Sequence, residues 1–330
     1  MLQKISEALS RLAPVWAGEG TRVENLERLS GGASMETWAF SVVGEGKQEE
    51  FVLRRRPVSV AEEDARSVTL AVEADLIRAA ETAGAPVAQL VYVAKPEDDI
   101  GEAHVTRRVS GETLGRRIVS DPRFEAIRPT LARQCGEVLA RIHTIPPSVA
   151  KLRTSDAAGE LARYEEIYRS YGAKRPILEL AFQHLKARIP DPMPHKVLHG
   201  DFRTGNLMIH PEAGVAAVLD WELPHLGDPA EDLGWLCVNS WRFGRSDKPV
   251  GGFGEYRDLL DGYHAAGGVE IPLERVLFWQ ALGSLKWGVM CLLMYGSYAS
   301  GAESSVERPM IGRRVSETEV DLVNLLENGL

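Results

Sequence analysis

The chain has 330 residues, of which 44% are hydrophobic and 26% are charged. This composition supports a buried core and excludes a largely disordered chain. The formal net charge of -9 argues against general nucleic-acid binding, which requires a basic surface.

The first part of the chain predicts antiparallel strands. Residues 22–29, 36–43 and 50–55 are interpreted as strands, with FVLR at the centre of the third, and turn-forming sequences that contain glycine separate them. Short glycine-containing loops between such segments are typical of β-hairpins. We therefore expect three strands that pair in sequence.

One helix and two more strands follow. Residues 67–83 place apolar side chains on one helical face, and Gly84 with Pro86 ends this helix. Residues 89–94 and 102–109 have the composition of strands. The predicted N-terminal unit is thus a small antiparallel sheet with one helix.

After residues 110–111 the chain becomes mainly helical. Apolar residues recur at helical spacing within 131–142, and residues 156–188 and those from 256 onward are also helix-like. Short apolar segments interrupt the helices around residues 197–219, which indicates small strands that carry loops. The sequence predicts an α+β fold with a larger, mainly helical C-terminal unit.

The most apolar segment, residues 276–296, is interpreted as a buried helix and not as a membrane span. Gln280, Ser284 and Lys286 interrupt it, and no basic cluster flanks it. We therefore expect no membrane association.

The cellular location is inferred from the chain start and the cysteines. The first twelve residues are amphipathic and lack the uninterrupted apolar core of a signal peptide. Cys135, Cys237 and Cys291 lie far apart and match no metal-binding spacing. These features predict reduced, buried thiols in a cytoplasmic protein. The sequence does not indicate an oligomeric state.

One polar loop carries the chemistry. Residues 197–209 read VLHGDFRTGNLMI, with Asp201 and Asn206 five positions apart, and Asp220 follows in AVLDWE. An Asn and an Asp brought together from adjacent loops supply the oxygen ligands that Mg2+ prefers. A free carboxylate beside them can accept a proton from a hydroxyl group. Arg203 lies close enough in sequence to neutralise charge on a phosphoryl group, so the set predicts phosphoryl transfer.

The spacing matches the kinase catalytic loop HRDLxxxN and its later metal-binding Asp. HGDFRTGNL and LDWELPHLGDPAEDLGW resemble the aminoglycoside phosphotransferase and choline kinase family, which has a two-lobed, protein-kinase-like fold. The resemblance covers nearly the whole chain. LSGGASMETW, LRRRP and IGRRVSETEVDL are most similar to a bacterial branch near or fused to acyl-CoA dehydrogenases.

The resemblance implies an N-terminal nucleotide-binding lobe (residues 1–106), a hinge (107–112) and a helical C-terminal lobe (113–330) with the substrate cleft. It implies a kinase that transfers the γ-phosphate of ATP, or of GTP, to a hydroxyl group of a small molecule with the help of Mg2+. Asp201 would be the catalytic base or orienter, and Asn206 and Asp220 would hold the metal ion.

The resemblance also assigns residues to the nucleotide. The loop from Ser30 through Gly31, Gly32 and Ala33 to Ser34 would cradle the phosphates with its backbone N–H groups. Glu73 would be the helix glutamate of the small lobe, although a solvated helix charge is an open alternative. Arg107 to Val109 would present backbone groups to the adenine. Asp228 and Asp232 would be structural carboxylates that brace the site.

Arg54 departs from the general kinase pattern because it stands where a Lys is usual. Arg offers a bidentate fork to phosphate and to Glu73, but its geometry differs from that of Lys. Two alternatives to a metabolic kinase remain open, and only the second of them rests on Arg54. The first is an antibiotic kinase of the aminoglycoside type. The second is a pseudokinase that binds nucleotide as a scaffold.

Several other residues have plainer interpretations. A single loop histidine more often braces a loop than reacts, so His199 is interpreted as structural. Glu222 is open between a metal-binding and a surface role. Trp221, Trp235 and Trp241 are interpreted as core residues and not as a substrate platform.

Overall fold

The structure is a computed structural model that describes residues 2–29, 35–44, 46–56 and 67–328. The predicted phosphate loop, Ser30 to Ser34, lies outside the described residues. The helices are α1 (Leu2–Leu12), α2 (Pro14–Ala17), α3 (Leu70–Thr82), α4 (Gly115–Ser120), α5 (Leu131–Ile142), α6 (Ala157–Tyr171), α7 (Pro176–Lys186), α8 (Ala230–Leu236), α9 (Tyr256–Ala265), α10 (Leu273–Ala299), α11 (Glu307–Gly312) and α12 (Val315–Glu327). The strands are β1 (Arg22–Arg28), β2 (Glu36–Gly44), β3 (Lys47–Arg55), β4 (Leu90–Val93), β5 (Ala103–Arg107), β6 (Lys196–Leu198), β7 (Leu207–His210), β8 (Gly214–Val218) and β9 (His225–Gly227).

The small lobe is built on a five-stranded antiparallel sheet of order β1-β2-β3-β5-β4. The alternating pattern of β2 and β3 buries Trp38, Phe40, Phe51 and Leu53, since successive strand side chains point to opposite faces. Amphipathic α1 covers this face with one apolar stripe. The predicted strands and the α+β class are confirmed.

The predicted helix of the small lobe forms as α3 and lies between the sheet and the large lobe. Thr69 caps its N-terminus by accepting a hydrogen bond from the Val72 N–H. Leu76, Ile77 and Ala80 on α3 belong to the hydrophobic core of the large lobe. The helix therefore fixes its own Glu73 at the boundary between the lobes.

The last strand of the sheet ends earlier than predicted. β5 stops at Arg107 and not at Val109, because the chain leaves the sheet to join the large lobe. Glu112 exchanges both backbone hydrogen bonds with Ile209 on β7. The predicted hinge, residues 107–112, falls on this connection, and its exact bounds stay a prediction.

Helix α10 forms the centre of the large lobe. It is long and apolar enough to cross a membrane by length and composition alone, but 72% of its apolar window is buried inside the protein. Such burial is typical of a core helix, as predicted for residues 276–296. Cys135, Cys237 and Cys291 are free thiols buried in the same lobe.

Two small ribbons carry the polar loops. β6 pairs with β9, and β7 pairs with β8. The loop between β6 and β7 holds residues 199–206, and the loop between β8 and β9 holds residues 219–224. Leu219 N–H donates to the Asn206 carbonyl at 2.8 Å, so the two loops lie side by side.

Candidate active site

The loop between β6 and β7 is held by a buried carboxylate. Asp232 on α8 accepts the His199 N–H on Oδ2 at 2.8 Å and the Gly200 N–H on Oδ1 at 2.9 Å. Gly200 has φ +80°, and a Cβ there would lie 2.1 Å from the Leu223 carbonyl oxygen. Only glycine fits this conformation and this space. Asp232 on helix α8 and Gly200 thus fix the backbone just before Asp201 and thereby the direction of the Asp201 side chain.

Three donors hold the carboxylate of Asp201. Trp235 Nε1 donates to Oδ1 at 2.6 Å, Asn206 Nδ2 donates to Oδ2 at 2.7 Å, and Arg203 Nε reaches Oδ1 at 3.1 Å. The Arg203 guanidinium lies over the Trp241 ring, 4.8 Å from its centroid. The carboxylate is therefore fixed in orientation while 15% of its side chain stays exposed.

Asn206 and Asp220 lie at adjacent ends of the β7–β8 ribbon, because Leu207 pairs with Val218. Both hydrogen bonds of the Asn206 side chain use its amide nitrogen, which leaves the amide oxygen free of these bonds. Asp220 has φ +66°, a left-handed conformation that Asp tolerates better than most residues. Burial raises the pKa of Asp220, although Arg54 opposes the shift.

Arg54 connects these groups to the small lobe. Its Nη2 atom lies 2.7 Å from Asp220 Oδ1 and 2.9 Å from Glu222 Oε2, and its Nε atom lies 3.3 Å from Glu73 Oε2. Burial disfavours the ionised form of Glu73, but Arg54 and His104 outweigh it and lower its pKa to about 2. Burial and the nearby charge of Asp220 raise the pKa of Glu222 to about 7. One guanidinium thus joins three carboxylates from both lobes.

A cleft of about 820 Å³ opens beside this cluster, between the two lobes. Val52 on β3 and Met208 on β7 contribute apolar side chains from opposite lobes, and residues 107–111 form the connecting edge. Arg54, Glu73, Asn206 and Asp220 line the polar end. This mixture of apolar surface and a few convergent polar groups is typical of a ligand site.

The structure brings most of the predicted site residues together. Asp201, Arg203 and Asn206 share one loop, and Arg54 contacts Glu73 and Asp220. Arg107 and Val109 line the cleft, but the Arg107 side chain turns to Glu49, 2.7 Å away. His199 lies against Trp221, and its Nε2–H donates to the Leu219 carbonyl at 3.0 Å. Asp228 Oδ1 accepts the Ala230 N–H at the start of α8, which agrees with a bracing role.

Two contacts were missed by the sequence reasoning. Glu222 joins the Arg54 cluster, and the buried Trp235 donates to Asp201 although it was interpreted as core alone. The signal for Trp235 was its position three residues after Asp232, because residues three apart share a helical face. Within residues 2–29, 35–44, 46–56 and 67–328, no group of three His, Cys, Asp or Glu side chains forms a metal cluster.

The two-lobed fold and the loop that carries Asp201 and Asn206 define a phosphotransferase of the kinase type. A sequence model of the phosphotransferase enzyme family matches residues 25–269. The chain belongs to this family.

The chain is also similar to parts of longer proteins. It is 28% identical over 200 residues to acyl-CoA dehydrogenase family member 10 of Mus musculus, covering 57% of this chain and 18% of that protein. It is 26% identical to acyl-CoA dehydrogenase family member 11 of Gallus gallus, covering 95% of this chain and 42% of that protein. The chain thus spans less than half the length of these curated relatives.

Solved structures show the same fold. A Ralstonia eutropha protein assigned as an aminoglycoside phosphotransferase has a TM-score of 0.70 at 21% identity and covers 98% of both chains. A choline/ethanolamine kinase family protein of Mesorhizobium loti has a TM-score of 0.62 at 21% identity, covering 99% of this chain and 95% of that one. A spectinomycin phosphotransferase in complex with ADP and spectinomycin has a TM-score of 0.63 at 15% identity and covers 96% and 98%.

Proposed function

We propose that this protein transfers the γ-phosphoryl group of ATP, or of GTP, to a hydroxyl group of a small molecule, with Asp201 as the base and Mg2+ as the cofactor. The observation that carries the proposal is that Asn206 and Asp220 line the polar end of the cleft between the lobes, and that the Asn206 amide holds the Asp201 carboxylate beside them at 2.7 Å.

The residues present fit a Mg2+–nucleotide. Both side-chain hydrogen bonds of Asn206 use its amide nitrogen, so neither occupies the amide oxygen. Asp220 supplies a carboxylate on the neighbouring loop. Mg2+ commonly takes one or two protein ligands and completes its shell with water and phosphate oxygens. The apolar side chains of Val52 and Met208 suit a flat base. Asn206 and Asp220 would therefore hold the ion, and the cleft would hold the nucleotide.

Side chains of the protein would transfer the proton and contact the phosphates. Asp201 takes the proton of the acceptor hydroxyl while the hydroxyl oxygen forms a bond to the γ-phosphorus and the bond to the leaving diphosphate breaks. Arg203 uses Nε on Asp201 and keeps its terminal nitrogens for phosphate oxygens. Arg54 places positive charge at the same end of the cleft. When bound, Mg2+ would offset the charge of the phosphates.

The pseudokinase alternative rested only on Arg54 in place of a Lys. Arg54 contacts both Glu73 and Asp220, so the substitution retains the charged link between the lobes. We therefore favour an active kinase. The choice of acceptors to test follows from the comparisons. The relatives named acyl-CoA dehydrogenase family members suggest acyl-CoA compounds, and the fold shared with aminoglycoside and choline kinases suggests aminoglycosides and amino alcohols.

The experiment is a turnover assay with Mg-ATP and Mg-GTP against hydroxyacyl-CoA thioesters, amino alcohols, sugars and aminoglycosides. We expect release of nucleoside diphosphate with one acceptor class, and loss of that release in Asp201→Asn. Asp75→Asn, a change at an exposed position of α3, is the matched control and should keep full activity. Absence of Mg-nucleotide binding by the wild type would overturn the proposal. Turnover by an aminoglycoside alone would establish the antibiotic-kinase alternative.

A further inference from the structure

We propose that Trp235 is a positioning residue whose indole N–H holds the catalytic base Asp201 in its reactive orientation. The inference rests on the proposed function, because it requires that Asp201 be the base. Its structural basis is the 2.6 Å contact from Trp235 Nε1 to Asp201 Oδ1.

The hydrogen bond joins helix α8 to the loop between β6 and β7, which Asp232 on the same helix also binds. Trp235 lies on α8, one turn after Asp232, and Asp232 binds the backbone of His199 and Gly200 just before Asp201. The same helix thus holds both the backbone and the side chain of the loop. Asp201 cannot rotate away without breaking a charge-assisted hydrogen bond in a buried place.

The ring of Trp235 is itself immobilised. It is only 7% exposed, its centroid lies 5.3 Å from that of Trp241, and the Lys286 ammonium lies 4.9 Å from its centroid. A cation over an aromatic face is attracted to the ring and polarises it. This polarisation makes the indole N–H a better donor to the Asp201 carboxylate.

Trp235 packs in an aromatic cluster of the core, yet its N–H has a polar hydrogen-bond partner, Asp201. Trp235, Trp241 and Trp287 form one aromatic cluster, with neighbouring centroids 5.3 and 5.0 Å apart. Among the described residues, the indole nitrogens of Trp241 and Trp287 are buried without a hydrogen-bond partner. Trp235 alone of this cluster directs its N–H at Asp201. Packing would be satisfied by any large ring, but only a ring with a donor orients the base.

The cluster offers a matched pair of variants. Trp235→Phe keeps a buried ring and removes the donor to Asp201. Trp287→Phe removes an N–H that has no hydrogen-bond partner in the part of the chain that the structure describes. We expect kcat to fall about tenfold to hundredfold in Trp235→Phe, with the KM for nucleotide unchanged. We expect no change of kcat in Trp287→Phe. A purely structural role would lower both activities alike, and equal kcat values in the two variants would overturn the inference.

A spectroscopic test does not depend on how Trp235→Phe folds. In the wild type, the indole proton of Trp235 should resonate downfield of that of Trp287, because it donates to a carboxylate. Asp201→Asn should move the Trp235 signal and leave the Trp287 signal in place. An unmoved Trp235 signal would contradict the contact. If Asp201→Asn keeps full activity, the proposed function fails first. If Asp201→Asn is inactive but Trp235→Phe is fully active, only the positioning role fails.

Discussion

Arg54 in the small lobe places its Nη2 atom 2.7 Å from Oδ1 of Asp220 in the large lobe, 166 positions later in the chain. The same side chain reaches Glu73 through Nε and Glu222 through Nη2. A lysine at this position has one nitrogen on a flexible stem, whereas the guanidinium has separate donors in a rigid plane. Arg54 can therefore hold Glu73 of the small lobe and Asp220 of the large lobe at the same time.

This geometry predicts the effect of Arg54→Lys. The ammonium can approach Glu73 or Asp220 but not both, so we expect kcat/KM to fall about tenfold to hundredfold. Arg55→Lys is the matched control, because the adjacent strand residue points to the other face and pairs with Glu36. Steady-state kinetics would compare kcat/KM of Arg54→Lys with that of Arg55→Lys. Wild-type activity in Arg54→Lys would show that the forked contact is not used.

The link between Asp232 and the loop gives a second prediction. Asp232→Asn replaces one of two carboxylate acceptors by an NH2 group, which then faces the N–H of His199 or Gly200. A buried donor loses its partner, so we expect a loss of about 2 kcal/mol or more in the free energy of unfolding and a strong loss of kcat. Urea unfolding and kinetics would measure both.

The control for that variant is His143→Gln. His143 also contacts Asp232, through Nε2 at 3.2 Å, but its removal leaves both loop amides paired. We expect it to destabilise the protein while it retains most of kcat. A fall of kcat as deep as that of Asp232→Asn would mean that the loop amides are not the important partners.

Much of the fold follows from local sequence rules. Glycine-containing turns join the first three strands, so their antiparallel pairing was predictable. The pairing of β3 with β5 was not predicted, because α3 and β4 lie between them in the sequence. The helix over Leu70–Thr82 has a Thr cap before it and Gly84 after it. The strand over residues 102–109 was predicted too long because its end depends on Glu112 pairing with Ile209, a contact distant in sequence.

The candidate site was predictable where its residues share a loop or follow a known spacing. Asp201 and Asn206 are five residues apart, and Asp220 follows on the next ribbon strand. The contacts of Trp235 with Asp201 and of Arg54 with Glu222 depend on how α8 and β3 pack against the loops. Such packing is a tertiary property, and neither hydropathy nor spacing encodes it.

The close contact between α5 and α9 predicts that a substitution outside the candidate active site lowers the free energy of unfolding. Gly136 on α5 lies against α9, and a Cβ there would lie 2.0 Å from the Leu259 carbonyl oxygen. Gly136→Ala must push the two helices apart, so we expect a loss of about 2 kcal/mol in the free energy of unfolding. Gly159→Ala is the control, since its Cβ would meet only the Asp156 side chain, at 3.2 Å. A neutral Gly136→Ala would mean that the helices pack less closely than described.

The buried Glu160 predicts a pH dependence of stability. Burial disfavours its ionised form, but Lys286, Ser155, Arg153 and His225 outweigh this and lower its pKa to about 2. Arg153 and Ser155 bind Oε1, and Glu231 on α8 is the nearby acidic group that shares Lys286. A carboxyl whose pKa is lower in the folded than in the unfolded chain stabilises the fold above the unfolded pKa, near 4.5.

That stabilisation is lost as the pH falls from about 4.5 toward 2, and its full size is about 3 kcal/mol. We therefore expect Glu160→Gln to be less stable than the wild type at pH 7, and the difference to shrink steadily below pH about 4.5. Glu125→Gln, at an exposed position, serves as the control and should follow the wild type at every pH. Urea unfolding of the three proteins between pH 7 and pH 3 measures the effect. A difference that stays constant with pH would show that Glu160 contributes through packing and not through its charge.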